Sequence, residues 1–328
     1  MKSAEILERM REIRALVVGD ICLDRWCTYD PRIREASRET GIPRTAVVST
    51  VVTAGAGGTV ANNLKALGVS QVGVIGAMGD DGSGYELGRA LSSGGISFEL
   101  SVKSRELNTF TYTKLINSET GLEDLPRVDF IYQKLLPSHI DEQLVGNLRA
   151  CFDMFDVVLV SDQAETETCG VVTPGMRECL AELASKHPDR VIWVDSRMRP
   201  DCFRNVIVKP NRDEAEQACR RRFGRVDLSL LHKHIGGEFL IVTEGAAGVT
   251  IVDSKGEARV PTRAVAAPVD ICGAGDSFSA GAALAYAITR SATEAARFGN
   301  IVASVTIMKP GTGTASPDEV IAAERGLE

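Results

Sequence analysis

Short runs of β-branched and aliphatic residues alternate with amphipathic helical patterns along nearly the whole 328-residue chain, and few folds accommodate that rhythm. Residues 15–19, 71–75, 157–160, 191–195, 206–209 and 239–243 read as buried strands. Residues 61–67, 85–91, 174–185, 213–222, 276–289 and 292–308 read as helices. Strand, helix and strand in succession close as a right-handed βαβ unit. The expected architecture is therefore an α/β fold, a three-layer α/β/α sandwich around a mostly parallel sheet. Residues 249–252 and 258–260 look like a hairpin. Two stretches, 44–53 and 98–116, break the rhythm, with Thr and Val alternating and no helix between. They predict a small antiparallel β-sheet lid, its strands falling roughly within 25–53 and 98–116. No linker or internal repeat divides the chain, so residues 1–328 are read as one domain. Ligands of such a sheet sit at the carboxyl ends of strands, which directs attention to Asp20, Asp24, Gly55, Gly57, Thr59, Asp162, Asp195, Asn211 and Thr243.

Composition removes several classes of function. A net charge of −7 offers no basic footprint for nucleic acid. Arg220, Arg221, Arg222 and Arg225 read as a solvated helix end, where cations suit the dipole. No run approaches the ~18 apolar residues of a membrane span. Residues 1–14 carry helical periodicity (Ile6, Leu7, Met10, Ile13) rather than a secretory apolar core. A cytoplasmic protein with neither a membrane nor a nucleic-acid partner is expected. The eight cysteines lack paired zinc-type spacing and read as reduced, packing residues.

The sharpest chemical signal is Asp270-Ile271-Cys272-Gly273-Ala274-Gly275-Asp276, directly before a helix. Two glycines let the backbone turn so that successive amides point one way, and the helix N-terminus adds partial positive charge. Gly273, Ala274 and Gly275 are candidates for an anion hole that steadies a phosphoryl group in transfer. Asp276 is a candidate for the base that takes a hydroxyl proton. A plainer reading, that Asp276 only caps the helix, fits the same residues. Dinucleotide and Walker-type sites are excluded. Val60 and Phe278 stand where G-x-G-x-x-G/A needs a small residue, and Gly-Lys occurs nowhere.

With these residues in view, the chain resembles the ribokinase-like (PfkB) carbohydrate kinases. Asp270-x-x-Gly-Ala-Gly-Asp276 is similar to that family's C-terminal signature, and residues 55–68 to its N-terminal glycine-rich signature. Gly76-x-x-Gly79-Asp80-Asp81-x-x-Gly84, Lys209-Pro210-Asn211-x-x-Glu214 and Thr243-x-Gly245-x-x-Gly248 resemble the motifs between them, in order. Gly19-Asp20-x-x-Leu23-Asp24-Arg25, Thr113-Lys114-Leu115, Arg127-Val128-Asp129 and residues 309–314 resemble the heptose 7-phosphate kinase branch.

The resemblance implies ATP-dependent phosphorylation of a hydroxyl of a sugar or sugar phosphate, with Asp276 as base and Gly273, Ala274 and Gly275 as anion hole. Asn211 and Glu214 would organise Mg²⁺ through water. Thr243, Gly245, Gly248 and Asn300 would border ATP. Asp20, Asp24, Gly55, Gly57, Thr59 and Asp162 would meet the sugar. Asp270, Cys272 and Ser316 would form a loop site for a monovalent cation, K⁺. Three departures bear on the acceptor or the loop. Thr59 stands where the family places Asn, Cys272 replaces a usual Thr, and Asp162-Gln163-Ala164-Glu165-Thr166 lacks the branch's Lys. A phosphorylated acceptor needs cations, for which Arg32, Arg34, Arg38, Lys114 and Arg197 are candidates. Two alternatives stay open: a nucleoside kinase of the same family, and a non-catalytic sugar or nucleotide sensor on the kinase fold. Exposed lid strands invite pairing across a two-fold, so a homodimer through the lid is expected.

Overall fold

The predicted apolar strands assemble into one eight-stranded sheet. The computed structural model describes residues 1–164, 169–262, 265 and 267–326. Glu165 and Thr166, in the segment contrasted with the heptose branch, lie outside the described residues, as do Leu327 and Glu328. In chain order the strands are β1 (Arg14–Gly19), β2 (Ile21–Tyr29), β3 (Val47–Ala56), β4 (Gln71–Ile75), β5 (Ala77–Gly79), β6 (Val102–Ser104), β7 (Thr111–Asn117), β8 (Val128–Phe130), β9 (Val157–Asp162), β10 (Val191–Ser196), β11 (Ile207–Val208), β12 (Leu240–Thr243), β13 (Val249–Asp253) and β14 (Gly256–Val260). The helices are α1 (Ser3–Met10), α2 (Gly57–Ala66), α3 (Gly82–Ser93), α4 (Ser138–Cys151), α5 (Pro174–Lys186), α6 (Arg212–Phe223), α7 (Leu228–Ile235), α8 (Ala274–Thr289), α9 (Ala292–Thr306) and α10 (Pro317–Arg325).

The sheet order is β14-β13-β12-β11-β10-β9-β1-β4, parallel from β4 to β12, with β13 and β14 antiparallel. Successive side chains of a strand point to opposite faces, and β1 feeds both cores. Ala15 and Val17 join the cluster under α1, α2, α8 and α9, while Leu16 and Val18 join the one under α4, α5, α6 and α7. Burial on both faces is why these strands read as unbroken apolar runs. From β1 the chain moves outward to β4, whereas β9 to β12 build away on the other side. Connections diverging between β1 and β9 leave a crevice at the carboxyl ends of those strands.

The lid corrects one expectation. It is a mixed four-stranded sheet, β3-β2-β7-β8, not an antiparallel flap. β2 runs antiparallel to β3 but parallel to β7, in register from Leu23 opposite Thr111 to Tyr29 opposite Asn117. Between β3 and β7 the chain crosses α2, β4 and α3, and so returns in the direction of β2, as a parallel pair requires. The stretch 98–116 is also divided, because β6 pairs with β5 in a separate ladder. Only Asp20 separates β1 from β2, so that residue lies at the joint between the main sheet and the lid. All eight cysteines are unbridged, and Cys202 and Cys272 are the two exposed ones. Among the described residues no helix is long and apolar enough to cross a membrane.

Candidate active site

Gly273 has φ +77°, a left-handed conformation that suits glycine, and it is the N-cap of α8. A Cβ there would also press on the methyls of Thr59 and Thr312, each at 3.3 Å. Asp276 is therefore the third residue of the helix, and no side chain caps α8. The capping alternative gives way to an uncommitted carboxylate. Asp276 lines a cavity of about 180 Å³ together with Asp24, Thr59, Lys114, Arg127 and Arg197. Burial in the cleft pushes its pKa up to about 7, with Asp195 and Asp24 adding to the rise and Lys209 and Arg197 opposing it. Of the three anion-hole candidates, Ala274 already donates its amide to Ile271 O at 3.2 Å. The Gly275 amide has no partner among the described residues.

Beneath this loop lies a pair that motif reading left without a role. Lys209 and Asp195 are buried, with Nζ 2.9 Å from Oδ2, and Ser279 Oγ donates to the same oxygen at 3.2 Å. A Cβ on Gly275 would lie 3.6 Å from Lys209 Nζ. Burial lowers the Lys209 pKa, but Asp195, Glu214 and Asp276 together hold it above the usual lysine value. The ammonium stays charged and restrains the acidic cluster around Asp276. Arg197 lines the cavity beside Asp276.

Asp24 is placed from the lid. Its carboxylate lies against the backbone of Gly55 on the neighbouring strand, where any Cβ would collide with it. Burial pushes Asp24 up to about 6, while Cys22, Lys114 and Arg127 pull it down. Asp20 accepts amide hydrogen bonds from Gln163 (2.8 Å) and Val171 (2.9 Å), so it ties the loop after β9 to the joint of the lid. Burial first, then Asp162, raises Asp20 to about 6. Gly57 donates its amide to Asp20 O at 2.8 Å. Asp162 is not among the residues lining this cavity: its carboxylate is buried against Arg199 and accepts from Ser196 Oγ at 2.6 Å. Thr59 is buried at the pocket wall, with Oγ1 3.5 Å from Ala54 O. Asn62 also donates to Ala54 O, at 3.4 Å. Of the cation candidates, Lys114 and Arg197 line the cavity, and Arg32, Arg34 and Arg38 do not. Arg127, whose guanidinium stacks 5.0 Å over the Tyr112 ring, adds a third cation.

A second cavity, about 670 Å³, opens at the carboxyl ends of β11 and β12 and is lined by Asn211, Thr243 and Gly245 with Arg212, Glu244 and Arg259. Asn211 and Thr243 are bridge partners. The sequence Asn211-x-x-Glu214 forms a capping box: Asn211 Oδ1 accepts from the Glu214 amide (2.9 Å), and Glu214 Oε2 accepts from the Asn211 amide (2.7 Å). The box leaves Glu214 Oε1 without a partner among the described residues. No cluster of three metal-ligating His, Cys, Asp or Glu side chains occurs among them. One open carboxylate oxygen suits Mg²⁺, which keeps most of its waters and takes its remaining ligands from phosphate. Gly248 and Asn300 are set back from this cavity. Gly248 packs on the backbone of Val260, and Asn300 Nδ2 donates to Pro261 O at 3.4 Å. Arg212, Glu244 and Arg259 carry no motif signal, and only the fold brings them here.

Two of the candidates for a monovalent cation, Asp270 and Ser316, hold local hydrogen bonds. Asp270 accepts from the amides of Cys272 (2.8 Å) and Gly311 (3.1 Å). Ser316 caps α10 through Glu319, and the Lys309 ammonium bonds Thr314 O at 2.6 Å and Glu319 at 2.7 Å in the same loop. Burial also raises the Cys272 thiol pKa, which keeps it protonated.

Residues 14–319 match the family described as pfkB family carbohydrate kinase. A protein of Trichlorobacter lovleyi named bifunctional protein HldE is 30% identical over 326 residues, which cover 97% of this chain and 64% of that protein. One of the same name from Methylococcus capsulatus is also 30% identical, over 95% of this chain and 64% of its own length. The chain thus spans a little under two thirds of these relatives. Among solved structures, the ribokinase of Thermotoga maritima superposes with a TM-score of 0.68 at 19% identity, covering 95% of this chain and 99% of that one. Phosphofructokinase-2 of Escherichia coli in complex with fructose-6-phosphate superposes with a TM-score of 0.69 at 20% identity, covering 96% and 99%. These likenesses show a ribokinase-like α/β fold.

Proposed function

The chain belongs to the pfkB family of carbohydrate kinases, and we propose that it transfers the γ-phosphoryl group of MgATP to a hydroxyl of a sugar that already carries a phosphate. One observation carries this reading: the carboxylate of Asp276, which has no hydrogen-bond or ion-pair partner among the described residues, shares a cavity with Lys114, Arg127 and Arg197. A neutral sugar needs hydrogen bonds, whereas a phosphate needs charge-assisted donors of this kind. The base and the cations bracket a molecule that is hydroxyl at one end and anion at the other.

In this reading ATP lies in the cavity beside Asn211 and Thr243, and the acceptor lies under the lid. Asp276 takes the proton from the attacking hydroxyl. The Gly275 amide and the N-terminus of α8 receive charge on the transferring group. Lys209 holds Asp195 so that its charge does not drive Asp276 fully neutral. Mg²⁺, organised by Glu214 and Asn211, would neutralise phosphate charge. Asp24, set on Gly55, would bond sugar hydroxyls. Asp20 would transmit lid position to the loop after β9. Lid closure would exclude water, the competing acceptor.

The test is ADP release across a panel of sugars, sugar phosphates and nucleosides, with heptose 7-phosphate, fructose 6-phosphate, ribose and adenosine included. Turnover confined to a phosphorylated sugar supports the reading, and preference for ribose or adenosine overturns it. On the active member, Lys114→Met and Arg197→Met should each raise the acceptor KM ten- to a hundred-fold, as loss of a charged hydrogen bond of about 1.5–3 kcal/mol requires. KM for ATP should not move. If both KM values move equally, these cations do not face the acceptor.

The homodimer is part of the same proposal. β3 is an edge strand whose first five residues are exposed on both faces, Val47, Val48 and Val51 among them. Apolar edge strands of this kind are covered in stable proteins. Light scattering should give the mass of two chains, and Val51→Lys should shift it toward one. A monomeric parent would refute the lid dimer.

A further inference from the structure

We propose that the groove between α5 and residues 200–205 is a second anion site, which takes a small molecule bearing a di- or triphosphate. The groove encloses about 760 Å³ and shares no lining residue with the two cavities above. Arg177, Lys186, Arg204 and Arg222 line it, and among the described residues none of these four has a carboxylate partner. Arg177 is instead tied to a carbonyl, Val172 O at 2.7 Å. Arg204 Nη1 donates to Asp201 O (2.9 Å) and Phe203 O (2.6 Å), and Nη2 lies 2.7 Å from His234 Nε2. These contacts fix the guanidinium without neutralising it.

The groove's own acids do little to compensate. Glu182 is paired with Arg149 at 2.8 Å, and Asp201 is paired with Arg221. Glu178 alone remains. Burial and the neighbouring Arg222 push the Arg204 pKa down, and burial with the same two arginines pushes His234 down. Like charges held together and partly desolvated are costly, and an anion seated among them removes that cost. Arginine forks match phosphate oxygens in pairs. Four cations along one groove exceed what a single phosphate engages, hence the di- or triphosphate. This inference does not rest on the catalytic proposal.

The groove carries its own reporter, since the exposed thiol Cys202 lines it, while Cys272 lines the catalytic cavity. The probe is inorganic pyrophosphate, and the readout is the rate of iodoacetamide labelling at each thiol by peptide mass spectrometry. Cys202 labelling should slow saturably, by about tenfold once pyrophosphate reaches about ten times its Kd. Potassium chloride at matched ionic strength should not slow it. Arg204→Gln with Arg222→Gln should abolish protection at Cys202, while the labelling behaviour of Cys272 and basal turnover match the parent's. Should that double variant fold poorly, Arg222→Gln alone decides the matter. Its side chain is exposed and makes no bond among the described residues, and it should weaken the protection several-fold. Labelling of Cys202 that ignores pyrophosphate in the parent overturns the proposal. So does protection that persists undiminished in the variants.

Discussion

Replacing Asp276 with Asn should leave ATP binding intact and lower kcat by about 10²–10⁴, the usual scale for loss of a positioned base. The substitution keeps shape and removes only the proton acceptor. Asp276 supports no cap bond, so little stability is at stake. A companion result is expected in the pH profile. The base works only when ionised, and burial with Asp195 and Asp24 raises its pKa to about 7. Activity should therefore fall as pH drops through about 7, not through the ordinary aspartate range near 4. Calorimetry with an ATP analogue and a pH–rate profile on the parent check both statements. Near-parental turnover in Asp276→Asn would sink the base assignment. An acid limb near 4 would show that the raised pKa is not what the working enzyme uses.

Lys209→Met should be the costliest single change in stability, about 3–5 kcal/mol, because it strands the buried Asp195 carboxylate without its partner. Urea unfolding measures this directly. Adding Asp195→Asn should recover part of the loss, since the stranded charge is then gone. Lys209 also opposes the rise in the Asp276 pKa. Its removal should move the acid limb of the rate profile to higher pH, an effect that packing loss alone does not produce. A cost under about 1 kcal/mol would mean that Asp195 is solvated or protonated, and that the pair is not a structural strut.

Much of the fold was legible because its strands are buried on both faces and so announce themselves as continuous apolar runs. β1, β4, β9, β10 and β12 fall close to their expected places. α4 was not read, although Ile140, Leu144, Leu148 and Cys151 recur at helical spacing. Nine other residues of that helix are polar or small, which diluted the signal. The direction of β7 was unreadable for a firmer reason. Alternation in a strand says which residues share a face and nothing about which neighbour it meets.

The site divides along the same line. The catalytic loop could be read locally, because a glycine turn feeding a helix creates its geometry within seven residues, Asp270 to Asp276. Asn211-x-x-Glu214 was equally local, since a capping box closes over three residues. Lys209 with Asp195, and Asp162 with Arg199, could not be paired in advance. Each joins the ends of different strands, and only the parallel register of β9, β10 and β11 brings them together. Lys114 on β7 and Arg127 just before its antiparallel partner β8 meet Arg197, which follows β10, only where the lid sheet lies against the main sheet. The chain alone therefore determines the layered fold and the phosphoryl-transfer loop, whose signals are periodic or short-range. Tertiary structure decides what the acceptor meets and which buried charges are balanced, because Coulombic interaction depends on distance in space and not along the chain.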